Sequence, residues 1–292
     1  MFVATLLTAP TGAPMDLALP DSLRNAWGGG EIRWLAPGQA AEFGLGVLPA
    51  NLWDVWSDLQ GLGVDLIVQP ETGRRKRMLL ADMDSTMIQQ ECIDELADEA
   101  GVGDRVKEIT ARAMNGELDF EEALIERVGL LAGLGEEVIG KVLAERIVLM
   151  PGGPVLLATM RRDGAYAALV SGGFTAFTAQ VAAQLGFDEN RANTLVTHDH
   201  RLTGEVARPI LGRDAKVRAL EDITSRLGIS DADVLAVGDG ANDLGMLTRA
   251  GTGVALHAKP AVAAECQVRV NHGDLTALLY LQGYAAEDFA DI

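Results

Sequence analysis

The fold of this chain is decided by residues 79–86, which read LLADMDST. An apolar run ends there in two carboxylates, Asp82 and Asp84, two positions apart. Alternate residues of an extended strand point to the same side, so this spacing directs both carboxylates into one crevice at the strand end. Open α/β sheets bind ligands at the carboxyl ends of their strands. An isolated Asp-x-Asp is more often a solvated turn, so the rest of the chain must decide between a turn and a site.

Length and charge limit the function classes. The chain has 292 residues, enough for one large or two unequal domains. Hydrophobic residues make up 48% and charged residues 23%, as in an ordinary globular protein. Forty-two acidic residues against 24 basic ones give a formal charge of -18, which disfavours nucleic acid and anionic membranes as partners. A small anionic substrate stays compatible, because a few local cations or a metal outweigh the distant field.

The cysteines and the first residues bear on localisation. Cys92 and Cys266 match no zinc spacing, and the four histidines form no ligand motif. Residues 1–23 contain no Lys or Arg, so the start of the chain lacks the charged region of a signal peptide. No apolar stretch approaches the roughly 18 residues of a membrane span. We therefore expect a cytoplasmic protein with no membrane partner.

Residues 1–72 predict a small N-terminal α+β domain. Strands are expected at Phe2–Thr8, Glu31–Leu35 and Val64–Val68, and helices at Asp16–Trp27 and Asn51–Leu62. The polar and basic connector 69–77 then marks a boundary, so that a second domain occupies residues 73–292. Within the second domain, the charged and leucine-rich stretch from about 89 to 149 predicts an inserted helical subdomain.

From Pro151 onward the pattern alternates between helices and short buried strands, which is typical of a parallel α/β sheet. Strands are expected at Ala165–Val170, Val234–Val237 and Gly253–Leu256, the last being the final strand. Residues 193–197 and 205–207 are expected to flank a hairpin turn at 201–204.

Two further positions in this region carry groups that can bind an anionic substrate. Ser171 and Gly172 follow an apolar strand, where small residues expose backbone N–H groups that can hold an anion. A plain glycine turn is an equally good interpretation, and the Gly-x-Ser-x-Gly elbow of serine hydrolases is missing. Lys216 lies near the start of a predicted helix, where a lone lysine is usually a solvated surface charge.

A third position is the sequence GDGAND at residues 238–243, directly after an apolar strand. Asp239 and Asp243 lie four residues apart beside a glycine turn and suit an oxygen-ligand Mg²⁺ site. A dinucleotide-binding loop is excluded, because Gly-x-Gly-x-x-Gly requires glycine where Asp243 stands. The chain also contains no Gly-x-x-x-x-Gly-Lys-Ser/Thr loop.

Taken together and in this order, residues 82–86, Ser171-Gly172, Lys216 and residues 238–243 resemble the four motifs of the haloacid dehalogenase-like phosphohydrolases. The resemblance covers about residues 72–292. It implies an α/β fold with a doubly wound, Rossmann-like parallel sheet and a small helical cap, at about 89–149, inserted after the first motif strand. Phosphoserine phosphatases of this superfamily carry substrate-recognition residues at the positions of Glu91, Met114, Phe120 and Arg127.

The resemblance implies roles for the acidic residues. Asp82 is expected to be the nucleophile that forms an aspartyl-phosphate, and Asp84 the group that moves the proton. The implied cofactor is Mg²⁺, held by Asp82, Asp239 and the backbone carbonyl of Asp84, with Asp243 as an indirect or water-mediated partner.

Other residues are expected to hold the substrate. For the phosphate, the resemblance implies Lys216, Ser171, the Gly172 N–H and Asn242. At the serine end it implies that Glu91 pairs with the ammonium and that Arg127 clamps the carboxylate. Two apolar residues are expected to close a lid over them, namely Met114 and Phe120.

The implied activity is Mg²⁺-dependent hydrolysis of O-phospho-L-serine, the last step of serine biosynthesis. Two alternatives stay open: a phosphatase or phosphotransferase for another small phosphate ester, and a non-catalytic amino-acid sensor. The sensor predicts damage to the acidic residues, yet Asp82, Asp84, Asp239 and Asp243 are all present. Residues 1–72 resemble a shortened or divergent form of the βαββαβ amino-acid-binding domains that many phosphoserine phosphatases carry. Oligomeric state is not indicated, and a homodimer is one possible assembly.

Overall fold

The computed structural model describes residues 1–114 and 117–292. Its N-terminal part consists of β1 (Phe2–Thr8), α1 (Ala18–Trp27), β2 (Ile32–Ala36), β3 (Ala40–Leu45), α2 (Leu52–Gln60) and β4 (Val64–Pro70). The four strands form an antiparallel sheet in the order β2-β3-β1-β4. This element order is βαββαβ, with β3 present in addition to the strands expected from the sequence.

Eight further strands follow: β5 (Met78–Ala81), β6 (Tyr166–Phe174), β7 (Glu189–Asn193), β8 (Leu195–His198), β9 (Arg201–Val206), β10 (Val234–Gly238), β11 (Thr252–Leu256) and β12 (Val268–Val270). The described residues also form ten helices: α3 (Cys92–Glu99), α4 (Gly103–Met114), α5 (Phe120–Gly129), α6 (Glu137–Glu145), α7 (Gly153–Arg162), α8 (Thr175–Leu185), α9 (Arg213–Leu227), α10 (Leu244–Arg249), α11 (Pro260–Glu265) and α12 (Ala277–Leu281).

Six of these strands form the central sheet, in the order β12-β11-β10-β5-β6-β7, and every neighbouring pair is parallel. After β5 the chain adds β6 and β7 on one side and then returns to build β10, β11 and β12 on the other. The strand order therefore reverses between β5 and β10, which is where doubly wound sheets bind their ligands. The expected α/β class with a doubly wound parallel sheet is confirmed.

Both faces of this sheet are covered, as the alternation of apolar side chains along β5 requires. Met78 and Leu80 point into a core shared with α9, α10 and α11. Leu79 and Ala81 point to the opposite side, into a larger core that includes residues of α7, α8 and α12. A strand buried on both faces has to be apolar throughout, and all four residues of β5 are fully buried.

The cap, residues 89–149, leaves the sheet after β5 and comprises α3 to α6. Its two connections to the rest of the chain pair with each other: Gln89 N donates to Val148 O at 2.9 Å, and Met150 N to Met87 O at 2.9 Å. Helices expected at Cys92–Ala100 and Phe120–Leu131 lie at α3 and α5. The cap thus stands on a paired two-segment stem beside the end of β5.

Three expectations about strands were wrong. The strand expected at Gly253–Leu256, which is β11, is not the final one, because β12 follows it. The hairpin turn lies at Asp199 and His200, with φ of 47° and 58°, rather than at 201–204. Asp and His accept this left-handed conformation more readily than most residues. Finally, β6 extends beyond Val170 through the glycines to Phe174, with an irregular register at that point.

Among the described residues, the structure contains no helix of the length and hydropathy needed to cross a membrane.

Candidate active site

Asp82 is the first residue after β5, at the reversal of the strand order. Its backbone N–H donates to the carbonyl of Val237 in the neighbouring strand β10 at 3.0 Å, and its side chain is buried. Two residues later, Asp84 accepts from Cys92 N at 2.8 Å through Oδ1 and from the Ser171 hydroxyl at 3.2 Å through Oδ2. The two carboxylates therefore share one crevice, and Asp84 also joins the cap helix α3 to the end of β6.

The end of β10 supplies the next two carboxylates. Asp243 is fully buried, and its Oδ2 accepts from the N–H groups of Asp239 at 3.1 Å and Gly240 at 2.9 Å. These bonds fold the chain back so that both carboxylates face β5. A side chain at Gly238 would overlap the Asp243 carboxylate, so the turn requires glycine there.

Lys216 reaches this crevice from the first turn of α9 and is 3% exposed. Its Nζ lies 2.6 Å from Asp82 Oδ1 and 2.5 Å from Asp243 Oδ1. Burial alone lowers the pKa of this ammonium, but the carboxylates of Asp243 and Asp82 outweigh burial and raise it above its ordinary value. The site therefore holds a fixed positive charge at neutral pH.

The acid cluster, defined as Asp82, Asp239 and Asp243, has a carboxylate oxygen from each residue within 4.8 Å of those of the others. Burial, together with repulsion by Asp243, raises the pKa of Asp82 well above its ordinary value against the opposing effect of Lys216. The same two causes raise the pKa of Asp239 to about 6. Three crowded oxygen donors with this excess of negative charge fit a hard divalent cation.

Asp84 does not belong to this cluster through its carboxylate, which is engaged by Cys92 and Ser171. Burial raises its pKa, against the effect of these hydrogen bonds. A protonated carboxyl group is a proton donor, so the arrangement favours acid and base work by Asp84. The expected use of its backbone carbonyl as a metal ligand stays a prediction.

Two of the phosphate-binding residues expected from the sequence, Ser171 and Gly172, lie near the end of β6. Gly173 N donates to the Ser171 hydroxyl at 2.8 Å. A Cβ placed on Gly172 would lie 2.9 Å from Cζ of Phe120 and 3.9 Å from the Asn242 side-chain nitrogen. Phe120 of the cap and Asn242 of the β10 loop therefore both lie close to the point where a Cβ of this residue would be, a proximity that the sequence could not predict.

The cap also brings Glu91 and Arg127 to the rim of the crevice. The Ser85 hydroxyl donates to Glu91 Oε1 at 2.8 Å. Partial burial of the Glu91 carboxyl group and the nearby Asp84 charge raise its pKa to about 7, although the residue as a whole is exposed.

Arg127 is half-buried on α5, and its Nε donates to Ala123 O at 3.2 Å. Burial lowers its pKa, and the charges of Asp94, Glu91 and Asp84 act in the opposite direction. Met114 ends α4, but its side chain lies outside the described part of the structure, so its expected role as a lid residue stays a prediction.

The sequence analysis did not identify two residues that form hydrogen bonds at the candidate active site, Thr86 and Asn193. The Thr86 hydroxyl donates to Asp239 Oδ1 at 3.4 Å, linking the β5 loop to the acid cluster. The buried amide of Asn193 connects the end of β6 to the segment before α9. Thr86 could have been identified from the sequence, because it lies two residues after Asp84 in the same motif. Asn193 gave no signal, because its partners are backbone groups 18 to 21 residues away.

Comparison with known proteins gives a family match over most of this region. The profile of the haloacid dehalogenase-like hydrolases matches residues 79–248. The match begins within β5 and ends within α10, so it includes the ends of β5, β6 and β10 described above as well as Lys216 on α9.

Three individual proteins are similar to the chain. A phosphoserine phosphatase of Streptomyces coelicolor is 45% identical over 234 residues, which are 80% of this chain and 57% of that protein's own length. A solved hydrolase of the same family from Salmonella enterica serovar Typhi superposes with a TM-score of 0.86 at 30% identity, covering 96% of this chain and 97% of its own. A solved phospho-aspartyl intermediate analogue of phosphoserine phosphatase gives 0.66 at 39% identity, covering 70% and 98%.

Proposed function

The chain belongs to the haloacid dehalogenase-like hydrolases, and we propose that it hydrolyses O-phospho-L-serine to L-serine and phosphate. The observation that carries this proposal is the buried ion pair of Lys216 with Asp82 at the reversal of the strand order. A carboxylate nucleophile has to approach an anionic phosphoryl group, and a fixed cation 2.6 Å from it offsets the repulsion.

In the first half-reaction, an Asp82 oxygen attacks phosphorus and forms an aspartyl-phosphate, while Asp84 gives its proton to the leaving seryl oxygen. In the second, Asp84 takes a proton from water, and the water oxygen attacks phosphorus and releases Asp82. The raised pKa of Asp84 supports the protonated starting state. A solved phosphoserine phosphatase described as a phospho-aspartyl intermediate analogue, 39% identical to this chain, supports the covalent route.

The acid cluster fits Mg²⁺, which Asp82 and Asp239 would hold, with Asp243 beside them. When bound, Mg²⁺ supplies neutralisation of the negative charge that gathers between the nucleophile and the phosphoryl oxygens. The chain's own residues do the rest of the phosphate binding: Lys216 provides the point charge, and the Ser171 hydroxyl and Gly172 N–H provide hydrogen bonds.

Substrate choice is assigned to the cap. Glu91 and Arg127 both interact electrostatically with Asp84, and an ionised Glu91 and the Arg127 guanidinium offer the opposite charges that a group carrying both an ammonium and a carboxylate requires. Phe120 lies against Gly172 and excludes water from the reacting phosphoryl group when the cap is closed. We propose phosphoserine rather than a simpler ester because the cap offers both a carboxyl group, that of Glu91, and the guanidinium of Arg127.

The test is phosphate release from three esters, with and without Mg²⁺: phosphoserine, phosphoethanolamine, which lacks the carboxylate, and O-phospho-3-hydroxypropionate, which lacks the amine. Arg127→Ala should lower kcat/KM for phosphoserine by about 10- to 100-fold and much less for phosphoethanolamine, since it removes a charge-assisted contact. Glu91→Gln should affect phosphoserine more than O-phospho-3-hydroxypropionate.

Arg112→Ala is the matched control, because Arg112 is a cap arginine that pairs with Glu126 at the surface. It should change kcat/KM equally and little on all three esters. Equal losses on both members of each pair for Arg127→Ala and Glu91→Gln would mean that these residues support the cap rather than the serine moiety. Absence of Mg²⁺-dependent phosphate release from every ester would overturn the proposed function.

A further inference from the structure

Asn193 is the last residue of β7 and is 2% exposed. Its Nδ2 donates to Gly172 O at 2.9 Å and to Leu211 O at 3.3 Å, and its Oδ1 accepts from Leu211 N at 2.7 Å. A side-chain amide has two N–H donors and a carbonyl acceptor, so all of its functional groups are used on two backbone positions. Those positions belong to two different segments of the candidate active site.

The first contact fixes a peptide group beside the reacting atoms. The peptide unit between Gly172 and Gly173 is planar, so holding its carbonyl oxygen also fixes the direction of its N–H. That N–H donates to the Ser171 hydroxyl oxygen at 2.8 Å, and the same hydroxyl donates to Asp84 Oδ2 at 3.2 Å. A chain of hydrogen bonds thus runs from Asn193 through one peptide to Ser171 and Asp84.

The glycines leave this peptide group little intrinsic preference, since glycine restricts its backbone less than any other residue. Asn193 supplies the restraint that the local sequence lacks. Its second partner, Leu211, lies two residues before α9, whose first turn presents Lys216 to the crevice. Asn193 therefore holds the end of β6, which carries Ser171, and the start of α9, which carries Lys216, at a fixed separation.

We propose that Asn193 is a positioning residue for phosphoryl transfer, which acts through the Gly172–Gly173 peptide on the Ser171 hydroxyl. The proposal rests on the proposed function, because it assigns Asn193 a role in the same reaction. The competing explanation is that Asn193 only satisfies buried backbone groups. In that case, replacing Asn193 would lower the stability of the protein but would not change the contribution of the Ser171 hydroxyl to kcat/KM.

A double-mutant cycle separates the two explanations. Asn193→Ala and Ser171→Ala are each expected to lower kcat/KM by about 10- to 100-fold, the range of a lost or misplaced hydrogen-bond donor at a reacting centre. Because Asn193 acts partly through Ser171, the double variant should lose at least about fivefold less than the product of the two single losses. Losses that multiply would overturn the proposal.

Asn190→Ala is the matched control, because Asn190 lies on the same strand and accepts from the Thr178 hydroxyl at 2.8 Å, away from the crevice. It should leave kcat/KM within about twofold of wild type and combine multiplicatively with Ser171→Ala. Thermal melts of each variant accompany the kinetics. If Asn193→Ala lacks a cooperative melt, the cycle is repeated with Asn193→Asp, which keeps the side-chain size; failure of both to fold would assign Asn193 a structural role and overturn the proposal.

The cycle is measured on whichever phosphate ester the wild-type enzyme hydrolyses fastest. Failure of phosphoserine as a substrate therefore counts against the proposed function, while the coupling between Asn193 and Ser171 is still decided. Multiplicative losses with an active wild-type enzyme count against Asn193 alone.

Discussion

Lys216 is the residue that offsets part of the negative charge of the acid cluster. A buried ammonium is costly unless it is paired, and this one contacts carboxylates of two motifs that are 161 residues apart in the chain, Asp82 and Asp243. Burial, and after it the negative charge of Asp243, raises the pKa values of Asp82 and Asp239. The site is therefore arranged for ligands that bring positive charge with them, together with an anion that Lys216 can receive.

Asp82→Asn is expected to lower kcat by at least about 1,000-fold, because the amide keeps the shape of the side chain but cannot attack phosphorus. Stability should respond differently. The folded protein raises the pKa of Asp82, so ionising it at pH 7 costs folding free energy that the uncharged amide avoids. In the presence of EDTA, the melting temperature of the variant should equal or exceed that of wild type. Substantial turnover would contradict the covalent mechanism, and a clearly lower melting temperature would contradict the charge argument.

Gly172→Ala should interfere with the cap rather than with the sheet. The added Cβ would lie 2.9 Å from Cζ of Phe120, closer than such contacts normally are, so the ring has to move. We expect kcat/KM to fall by about 10-fold or more, since small displacements at a reacting centre have effects of this size. Phe120→Leu combined with Gly172→Ala should recover part of the loss. No recovery in the double variant would show that the glycine is needed for another reason.

The residues that could be predicted from sequence are those for which a strand end and a polar group occur together. Asp82 and Asp239 follow apolar runs, so their meeting at one sheet edge could be inferred before any coordinates. Asn193 and the Phe120–Gly172 contact could not be, because each depends on where distant backbone segments meet. The expected roles of the site residues stay predictions, which the variants above would test.

Among the elements, the hairpin of β8 and β9 has an unexpected place, because it binds the cap. Gly133 N donates to Leu202 O at 2.8 Å, and Leu202 N donates to Leu134 O at 2.9 Å. Arg201 adds a bond to Gly133 O at 2.7 Å. This hairpin from the core domain thus holds the cap in addition to its paired stem.

Gly204 offers a measure of the contact between hairpin and cap. Its φ is +85°, and a Cβ there would lie 2.9 Å from the Cβ of Ala132. Gly164 is a matched control, with φ of +86° and nothing within 4 Å of an added Cβ. Both Gly→Ala changes should cost about 1–2 kcal/mol of unfolding free energy from backbone strain. Gly204→Ala should cost about 1–3 kcal/mol more and also lower kcat/KM, because it displaces the cap. Equal effects would show that the hairpin does not fix the cap.

Element types were easier to predict than strand limits. The long amphipathic helices and the apolar strands β5 and β10 have clear periodicity. In contrast, β7 consists of Glu189–Asn193 and is not apolar; it is a strand only because β6 offers it a partner. The short strand β12, with three residues, gives too little pattern for a prediction from sequence alone.

In the molecule as a whole, the N-terminal sheet packs against the rest of the chain through apolar side chains and hydrogen bonds. The face of this sheet that does not pack on α1 and α2 places Leu7 and Ile67 in the same apolar core as Leu278 of α12. Gln69 Nε2 donates to Leu281 O at 2.7 Å, and Arg74 Nε donates to the same carbonyl at 2.9 Å. Apolar burial and paired polar groups therefore join the two parts.

This interface bears on the expectation that residues 1–72 are an accessory domain. The sequence suggested it because every residue with an assigned chemical role lies at or beyond Asp82. Alternation along β4 gave a hint that was missed: Asp65 and Gln69 flank Ile67 on the face opposite the helices, where solvent would be the ordinary partner. Instead α12 and the loop after β12 cover that face, so removing residues 1–72 would expose apolar core. The domain boundary at residue 72 stays a prediction, and this interface argues against a freely separable N-terminal domain.

Asp65 provides the sharpest test of the interface. It is fully buried, and its carboxylate accepts from three successive backbone N–H groups, those of Asn271 at 2.9 Å, His272 at 3.0 Å and Gly273 at 2.8 Å. Asp65→Asn keeps the size but replaces an acceptor oxygen with an N–H₂ group that faces other donors. We expect a loss of about 3 kcal/mol, since hydrogen bonds to a charged group contribute about 1.5–3 kcal/mol each.

For a chain of this size, such a loss corresponds to a melting temperature about 6–12 °C lower, at about 2–4 °C per kcal/mol. Asp58→Asn is the control, because it makes the same change of charge at an exposed residue of α2. It should shift the melting temperature by less than about 2 °C. A single cooperative transition for Asp65→Asn would mean that the N-terminal sheet unfolds together with the catalytic part. Two separate transitions, or equal melts for both variants, would instead support an independent accessory domain.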